Sequence, residues 1–197
     1  MIEKIKDNYN SWALQYDDNI NPTRDLDKIA TIKFLSKIYF SNVLELGCGT
    51  GKNTEWLITK ADSLVGLDFS KNMLDVAMEK VKSSKVTFIK TNLNQEWPVD
   101  DNSFDLATIN LTLEHIKKLD HIFRSLNKKL RVSGKCFVCE LHPKKQAAGS
   151  KAKFLENGIK KELYTYQHSE RDYIKNAEEA GFVLVSKKEW WDNKEDL

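Results

Sequence analysis

One segment limits the fold more than any other: Val43-Leu44-Glu45-Leu46, followed at once by Gly47-Cys48-Gly49-Thr50-Gly51. A short apolar run that ends in three alternating glycines reads as a buried strand turning sharply into a helix. Glycine allows the positive φ of such a turn and leaves bare backbone that a ligand can approach closely. The turn therefore belongs at the carboxyl edge of a sheet, which is where open α/β sheets bind their ligands.

The chain downstream keeps the same rhythm. Strands are expected at Val43–Leu46, Leu64–Leu67, Val86–Ile89, Phe104–Ile109 and Lys135–Leu141, with helices at Lys52–Lys60, Lys71–Val81 and Leu119–Leu130. Strands that alternate with helices at this spacing imply an α/β fold, a doubly wound and mostly parallel sheet with right-handed connections. Upstream, residues 3–20 read as a helix bearing Tyr9, Trp12 and Tyr16, and Asn21-Pro22 separates it from a second helix over Asp25–Tyr39. Downstream, residues 142–166 read as irregular and lysine-rich, Ser169–Ala180 as a helix stopped by Gly181, and Phe182–Val185 as a further strand. A sheet of this kind closes with an antiparallel pair, and its last member is missing or irregular between Lys187 and Leu197. The whole, 1–197, is read as one domain, with residues 1–40 covering the ligand site and 142–167 forming a lid or specificity insert.

Bulk properties exclude several classes. Net charge is +2, too near zero to imply nucleic-acid binding, and no long uncharged apolar run suggests a membrane span. The start, Met1-Ile2-Glu3-Lys4, lacks an apolar signal core, so the expected compartment is the cytoplasm. Cys48, Cys136 and Cys139 are too few and too odd for a disulfide framework. Cys136-Phe137-Val138-Cys139 has zinc-ligand spacing, but residues three apart on a strand face opposite ways, so buried structural thiols and no metal are expected.

An acid stands where a nucleoside would need one. Asp68 ends the second strand about 20 residues after the first glycine, the distance at which a carboxylate accepts hydrogen bonds from ribose hydroxyls. The competing reading makes Asp68 a helix N-cap, a role Ser70 could also fill. A dinucleotide site needs G-x-G-x-x-G, whereas here the pattern is G-x-G-x-G followed by Lys52-Asn53. Glu45 ahead of the turn also discourages a phosphate.

With these residues in place, the stretch 43–140 resembles the class I S-adenosylmethionine (SAM)-dependent methyltransferases, in particular the small-molecule methyltransferase 11 type with its Rossmann-like sheet. The resemblance extends through Leu67-Asp68-Phe69-Ser70-Lys71-Asn72-Met73-Leu74, Trp97-Pro98, Asp101-Asn102-Ser103-Phe104-Asp105-Leu106, Leu113-Glu114-His115-Ile116 and Leu130-Arg131-Val132-Ser133-Gly134-Lys135. It implies SAM as cofactor and S-adenosylhomocysteine (SAH) as product. Gly47, Gly49 and Gly51 would line the methionine and ribose moieties, with Cys48 between them, and Glu45 would orient a water or the ammonium. Asp68 would hold the ribose, Phe69 and Met73 would lie beside the adenine, and Asn92-Leu93 would meet its edge and face. The family often has an acid where Asn92 stands. Asn110 and Leu111 would floor the methionine arm, His115 would shape the site, and Tyr16 would close over it.

Methyl transfer from a sulfonium is an in-line displacement, so the protein chiefly aligns the partners and excludes water. A general base is needed only where the acceptor loses a proton, and His142 and His168 are the candidates. The expected function is methyl transfer to the O, N or C of a small molecule by a monomer or homodimer that binds neither nucleic acid nor membrane. A catalytically silent SAM-binding or partner-binding module is the alternative, and a nicotinamide-dependent enzyme is disfavoured by the glycine spacing.

Overall fold

A computed structural model describes residues 2–156 and 158–190. Two helices lead, α1 (Ile2–Trp12) and α2 (Pro22–Leu35). The alternating core follows as β1 (Asn42–Leu46), α3 (Thr54–Leu57), β2 (Ser63–Asp68), α4 (Lys71–Lys80), β3 (Val86–Lys90), β4 (Phe104–Asn110), α5 (Leu119–Lys129) and β5 (Leu130–Cys139). Then come α6 (Pro143–Ala147), the hairpin β6 (Lys153–Glu156) and β7 (Ile159–Glu162), and α7 (Glu170–Glu179).

The main sheet has five parallel strands in the order β3-β2-β1-β4-β5. The chain winds outward from β1 to β3, then returns to β4 on the other side of β1. The carboxyl ends of β1 and β4 thus form the switch point at which such sheets open a crevice. Alternation along the strands builds two cores. Leu44, Leu46, Leu67, Ala107 and Ile109 pack with Ile122, Phe123 and Leu126 of α5 on one face. Val43, Leu64 and Leu106 pack with Leu35, Phe40 and Leu57 on the other. A third cluster joins Ile5, Trp12 and Ala13 to Met73 of α4 and to Phe154 and Leu163 of the hairpin region. The first segment and the late hairpin therefore bury apolar area against each other.

The five strands of the main sheet stand where the sequence places them, with shifted ends, β5 starting at Leu130 instead of Lys135. The first helix stops at Trp12 and tightens into a 3-10 turn over Ala13–Gln15. The expected helix Lys52–Lys60 shrinks to four residues, Thr54–Leu57. Gly51 at φ 76° is still turning. Beyond Leu57, Thr59 and Lys60 donate to carbonyls three residues back, at 3.1 and 3.0 Å, which is 3-10 geometry. The region 142–166 is not irregular, since it holds α6 and the antiparallel β6–β7 hairpin.

Phe182–Val185 is not a strand. Gly181, at φ 94°, turns the chain away from α7, and the Phe182 N–H bonds back to Ala177 O at 3.0 Å instead of joining a ladder. Val183, Leu184 and Val185 stand exposed. Among the described residues the sheet thus ends at β5. Of the Lys187–Leu197 segment, only 187–190 are described, without regular structure.

Cys136 packs against the α5-side core, whereas its neighbour Phe137 packs with the α2-side core, as strand alternation requires. The Cys139 thiol lies on the same face as Phe137 and hydrogen-bonds Asp27. The two thiols point to opposite faces of β5. No helix among the described residues is long and apolar enough to cross a membrane.

Candidate active site

The crevice at the switch point is a pocket holding about 630 Å³ of open space, mouth included. Gly47 and Gly49 of the turn, Asp68 and Phe69 beyond β2, Met73 of α4, Asn92 and Leu93 after β3, and Asn110, Leu111 and His115 after β4 line it. Tyr16 closes it from the N-terminal side.

The turn is shaped by close packing on one side and openness on the other. A Cβ at Gly47, where φ is 68°, would stand 2.2 Å from Thr112 Oγ1. A Cβ at Gly49, where φ is 54°, would meet nothing within 4 Å. Gly47 is demanded by the protein itself, whereas Gly49 leaves free space on the pocket wall. Asp68 ties the turn to β2, with Oδ2 accepting the Gly49 N–H at 3.0 Å and Oδ1 the Ser70 N–H at 2.8 Å. Burial pushes its carboxyl up to about 6, against the lowering effect of those N–H donors. The helix cap belongs to Ser70, whose Oγ accepts from Met73 N at 3.2 Å. That leaves Asp68 facing the pocket with lone pairs to spare.

Beneath the turn lies a buried polar network. Asp27 of α2 accepts from Asn110 Nδ2 at 2.6 Å and Asn53 Nδ2 at 3.1 Å. Thr31 Oγ1 also accepts from Asn110 Nδ2, at 2.8 Å. With both amide hydrogens committed, the Asn110 carboxamide oxygen is left buried without a protein partner.

Tyr16 is held by Arg24. The guanidinium donates to the Tyr16 and Asn19 carbonyls and lies 4.1 Å from the Tyr16 ring centre. Asp17 joins Thr50 Oγ1 at 2.9 Å and pairs with Lys80, fastening the N-terminal segment to the glycine turn.

Several expected residues lie elsewhere. Glu45 does not line the pocket; it is buried under the turn, where Thr54 Oγ1 donates to it at 2.5 Å and burial pushes it up to about 8. Cys48 and Gly51 are likewise outside the lining, Cys48 packing toward Gly66 and Gly51 against Ala77 and Val81. His142 caps α6 by accepting from Lys144 N at 3.2 Å, and His168 donates from Nε2 to Ile116 O at 2.7 Å. Neither lines the pocket: His142 is the N-cap of α6, and His168 precedes the N-cap of α7. The lysines of 142–167 are also outside it, and Lys160 and Lys161 pair with Glu162 and Glu156.

Reading from sequence missed Ile2, Tyr9, Thr91, Asn94, Thr112 and Ile116 in the lining. Tyr9 carried a usable signal. It lies seven residues before Tyr16 on the first helical stretch, so the two share a face.

Comparison with known proteins agrees with this architecture. Residues 44–138, just under half the chain, match the methyltransferase 11 family model, described as a methyltransferase domain. Over that segment the chain is similar to the methyltransferases of this group. A demethylmenaquinone methyltransferase of Bacillus cereus is 28% identical over 151 residues, covering 71% of this chain and 60% of that protein. Its counterpart in Lactococcus lactis is 29% identical over 215 aligned positions, covering 93% of this chain and 83% of that one. A solved S-adenosylmethionine-dependent methyltransferase from Mesorhizobium loti superposes with a TM-score of 0.68 at 20% identity, covering 82% of this chain and 84% of that chain, and so shares the fold. The chain thus spans little more than half the length of the Bacillus relative and most of the Lactococcus one.

Proposed function

We propose that this chain binds SAM in the switch-point pocket and transfers its methyl group to a small neutral acceptor. The observation that carries the reading is Asp68 fixed beside Gly49 in the lining of the switch-point pocket. When bound, SAM supplies a methyl group already activated by the positive sulfur. Asp68 accepts from the ribose hydroxyls, and Gly49 gives the ligand room against bare backbone. Phe69 and Leu93 flank the base and Asn92 meets its edge. Asn110, Leu111 and Met73 line the methionine arm. Tyr16 closes the N-terminal side and excludes water. Glu45, Cys48 and Gly51 support the turn from below.

The lining holds one carboxylate and no lysine or arginine. That composition favours a neutral, largely apolar acceptor over an anionic one. Relatives named demethylmenaquinone methyltransferases make a hydroquinone ring the first acceptor to try. The segment 142–167 packs through Phe154 and Leu163 on the N-terminal segment that closes the pocket, and so serves as its outer cover. Three free cysteines suit a reducing, cytoplasmic setting. Calorimetry with SAM and SAH, followed by methyl transfer from labelled SAM to 1,4-naphthohydroquinone, tests the reading. Binding of both cofactor forms supports it, and absence of binding refutes it.

A further inference from the structure

We infer that the Tyr9 hydroxyl is a catalytic group that takes a proton from the methyl acceptor, with His115 behind it as the positioning residue that receives the Tyr9 proton. The inference rests on the methyl-transfer reading above and specifies its acceptor class: a molecule that loses an O–H or N–H proton on attack.

The geometry defines the direction of the relay. His115 Nδ1 lies 3.0 Å from the Tyr164 carbonyl oxygen, which can only accept, so Nδ1 carries the ring hydrogen. Nε2 of the neutral ring is then an acceptor, and Tyr9 Oη stands 2.8 Å from it. Tyr9 must therefore donate, which leaves its oxygen lone pairs free to accept from a third group. Both side chains line the pocket. Of the other ionisable residues in the lining, Asp68 holds the glycine turn and, in the proposed binding mode, the ribose, and Tyr16 lies beneath Arg24.

The pair is also held still. The Tyr9 ring packs edge-on against His115 at 5.4 Å and against Phe69 at 5.8 Å. His115 closes a 3-10 turn whose Thr112 and Leu113 N–H groups both donate to Glu140 Oε1 at 2.8 Å. Burial holds His115 down at about 4, so at neutral pH the ring is uncharged and its Nε2 lone pair is available. Glu114 Oε1 lies 3.6 Å from Nε2, and its other oxygen accepts from Gln146 at 3.0 Å. Burial raises the Glu114 carboxyl above its ordinary range, and an imidazolium formed at this distance would favour its ionised form.

The step balances. The acceptor oxygen or nitrogen forms a bond to the methyl carbon as the carbon–sulfur bond breaks, and that electron pair stays on sulfur. The acceptor's proton passes to the Tyr9 oxygen while the Tyr9 proton moves to His115 Nε2. The site exchanges a sulfonium charge for an imidazolium charge, so burial of charge is no greater after transfer than before it.

The test uses the full chain with ring-labelled histidine. In the SAH complex, nitrogen NMR should show His115 neutral and protonated at Nδ1. Replacing SAH by SAM at constant pH should move the Nε2 resonance in the wild type but not in Tyr9→Phe, because the sulfonium acts through the hydroxyl. In single turnover with 1,4-naphthohydroquinone, Tyr9→Phe and His115→Gln should slow transfer about 100-fold or more. Their SAM affinity should stay within about threefold of wild type, less than about 1 kcal/mol. An Nε2 resonance indifferent to the SAH-to-SAM exchange, or variants that transfer at the wild-type rate, would overturn the relay while leaving SAM binding intact. A wild type that binds SAM but spares naphthohydroquinone leaves the NMR comparison to decide the relay by itself. Failure to bind SAM removes the methyl-transfer reading and the relay together.

Discussion

The Asp68 carboxylate accepts the Gly49 N–H at 3.0 Å, tying the tip of β2 to the turn that leaves β1. Two residues 19 apart in sequence thereby become one wall of the pocket. Because burial raises Asp68 to about 6, its state changes within an accessible pH range. Ribose hydroxyls donate best to the ionised form, so SAM affinity should be highest above pH 7 and fall as pH drops through about 6. Asp68→Ala should weaken binding by about 1–3 kcal/mol and flatten that profile. Calorimetry across pH checks both outcomes.

Gly47 and Gly49 should fail in different ways. Gly47→Ala drives a methyl into Thr112 at positive φ and should cost about 2–5 kcal/mol of stability. Gly49→Ala meets open space and should cost about 1–2 kcal/mol from backbone strain. A bulkier residue at Gly49 should leave a folded protein that no longer binds SAM. Urea unfolding beside ligand titration separates the cases.

Glu45 offers a stability prediction with a definite sign. Burial raises it to about 8 from an ordinary 4.5, so folding favours the protonated form. Its contribution is fully present below about pH 4.5 and is lost as pH rises through about 8. Glu45→Gln keeps an acceptor for Thr54 without the buried charge. It should raise the melting temperature at pH 8 and reduce the slope of stability against pH between 5 and 8. A less stable variant at pH 8 would show that the charge is needed.

Arg24 is the clamp for the N-terminal segment. Arg24→Met removes donors from the Tyr16 and Asn19 carbonyls and the cation over the Tyr16 ring. The expected cost is about 2–3 kcal/mol. Amide exchange should accelerate over residues 13–20 while the β1 and β4 amides stay protected.

The three central strands were legible from sequence because they are buried on both faces. Val43–Leu46, Leu64–Leu67 and Phe104–Ile109 are apolar runs bounded by turn residues, and each strand extends them by one or two positions. The strand expected at Phe182–Val185 had the right composition. Composition does not reveal whether a neighbouring strand is available to pair with, and the chain turns away at Gly181. The hairpin within 142–166 was hidden by its lysines, since only Phe154 of β6 is buried and β7 is largely exposed. The pocket residues on the turn and on the β2 and β4 ends were legible because spacing along one chain places them. Glu45 was misplaced because motif adjacency does not say which side of a strand a residue faces. Tyr9 and His115 are 106 residues apart, and their hydrogen bond depends on how the N-terminal helix lies across the sheet.

The most direct measurement is isothermal titration of the full chain with SAM and SAH, with NADH as the control. Saturable one-to-one binding of SAM and SAH that is weakened by Asp68→Ala, with no binding of NADH, is the predicted result. A chain that takes up neither SAM nor SAH, or that binds NADH in their place, would contradict the account.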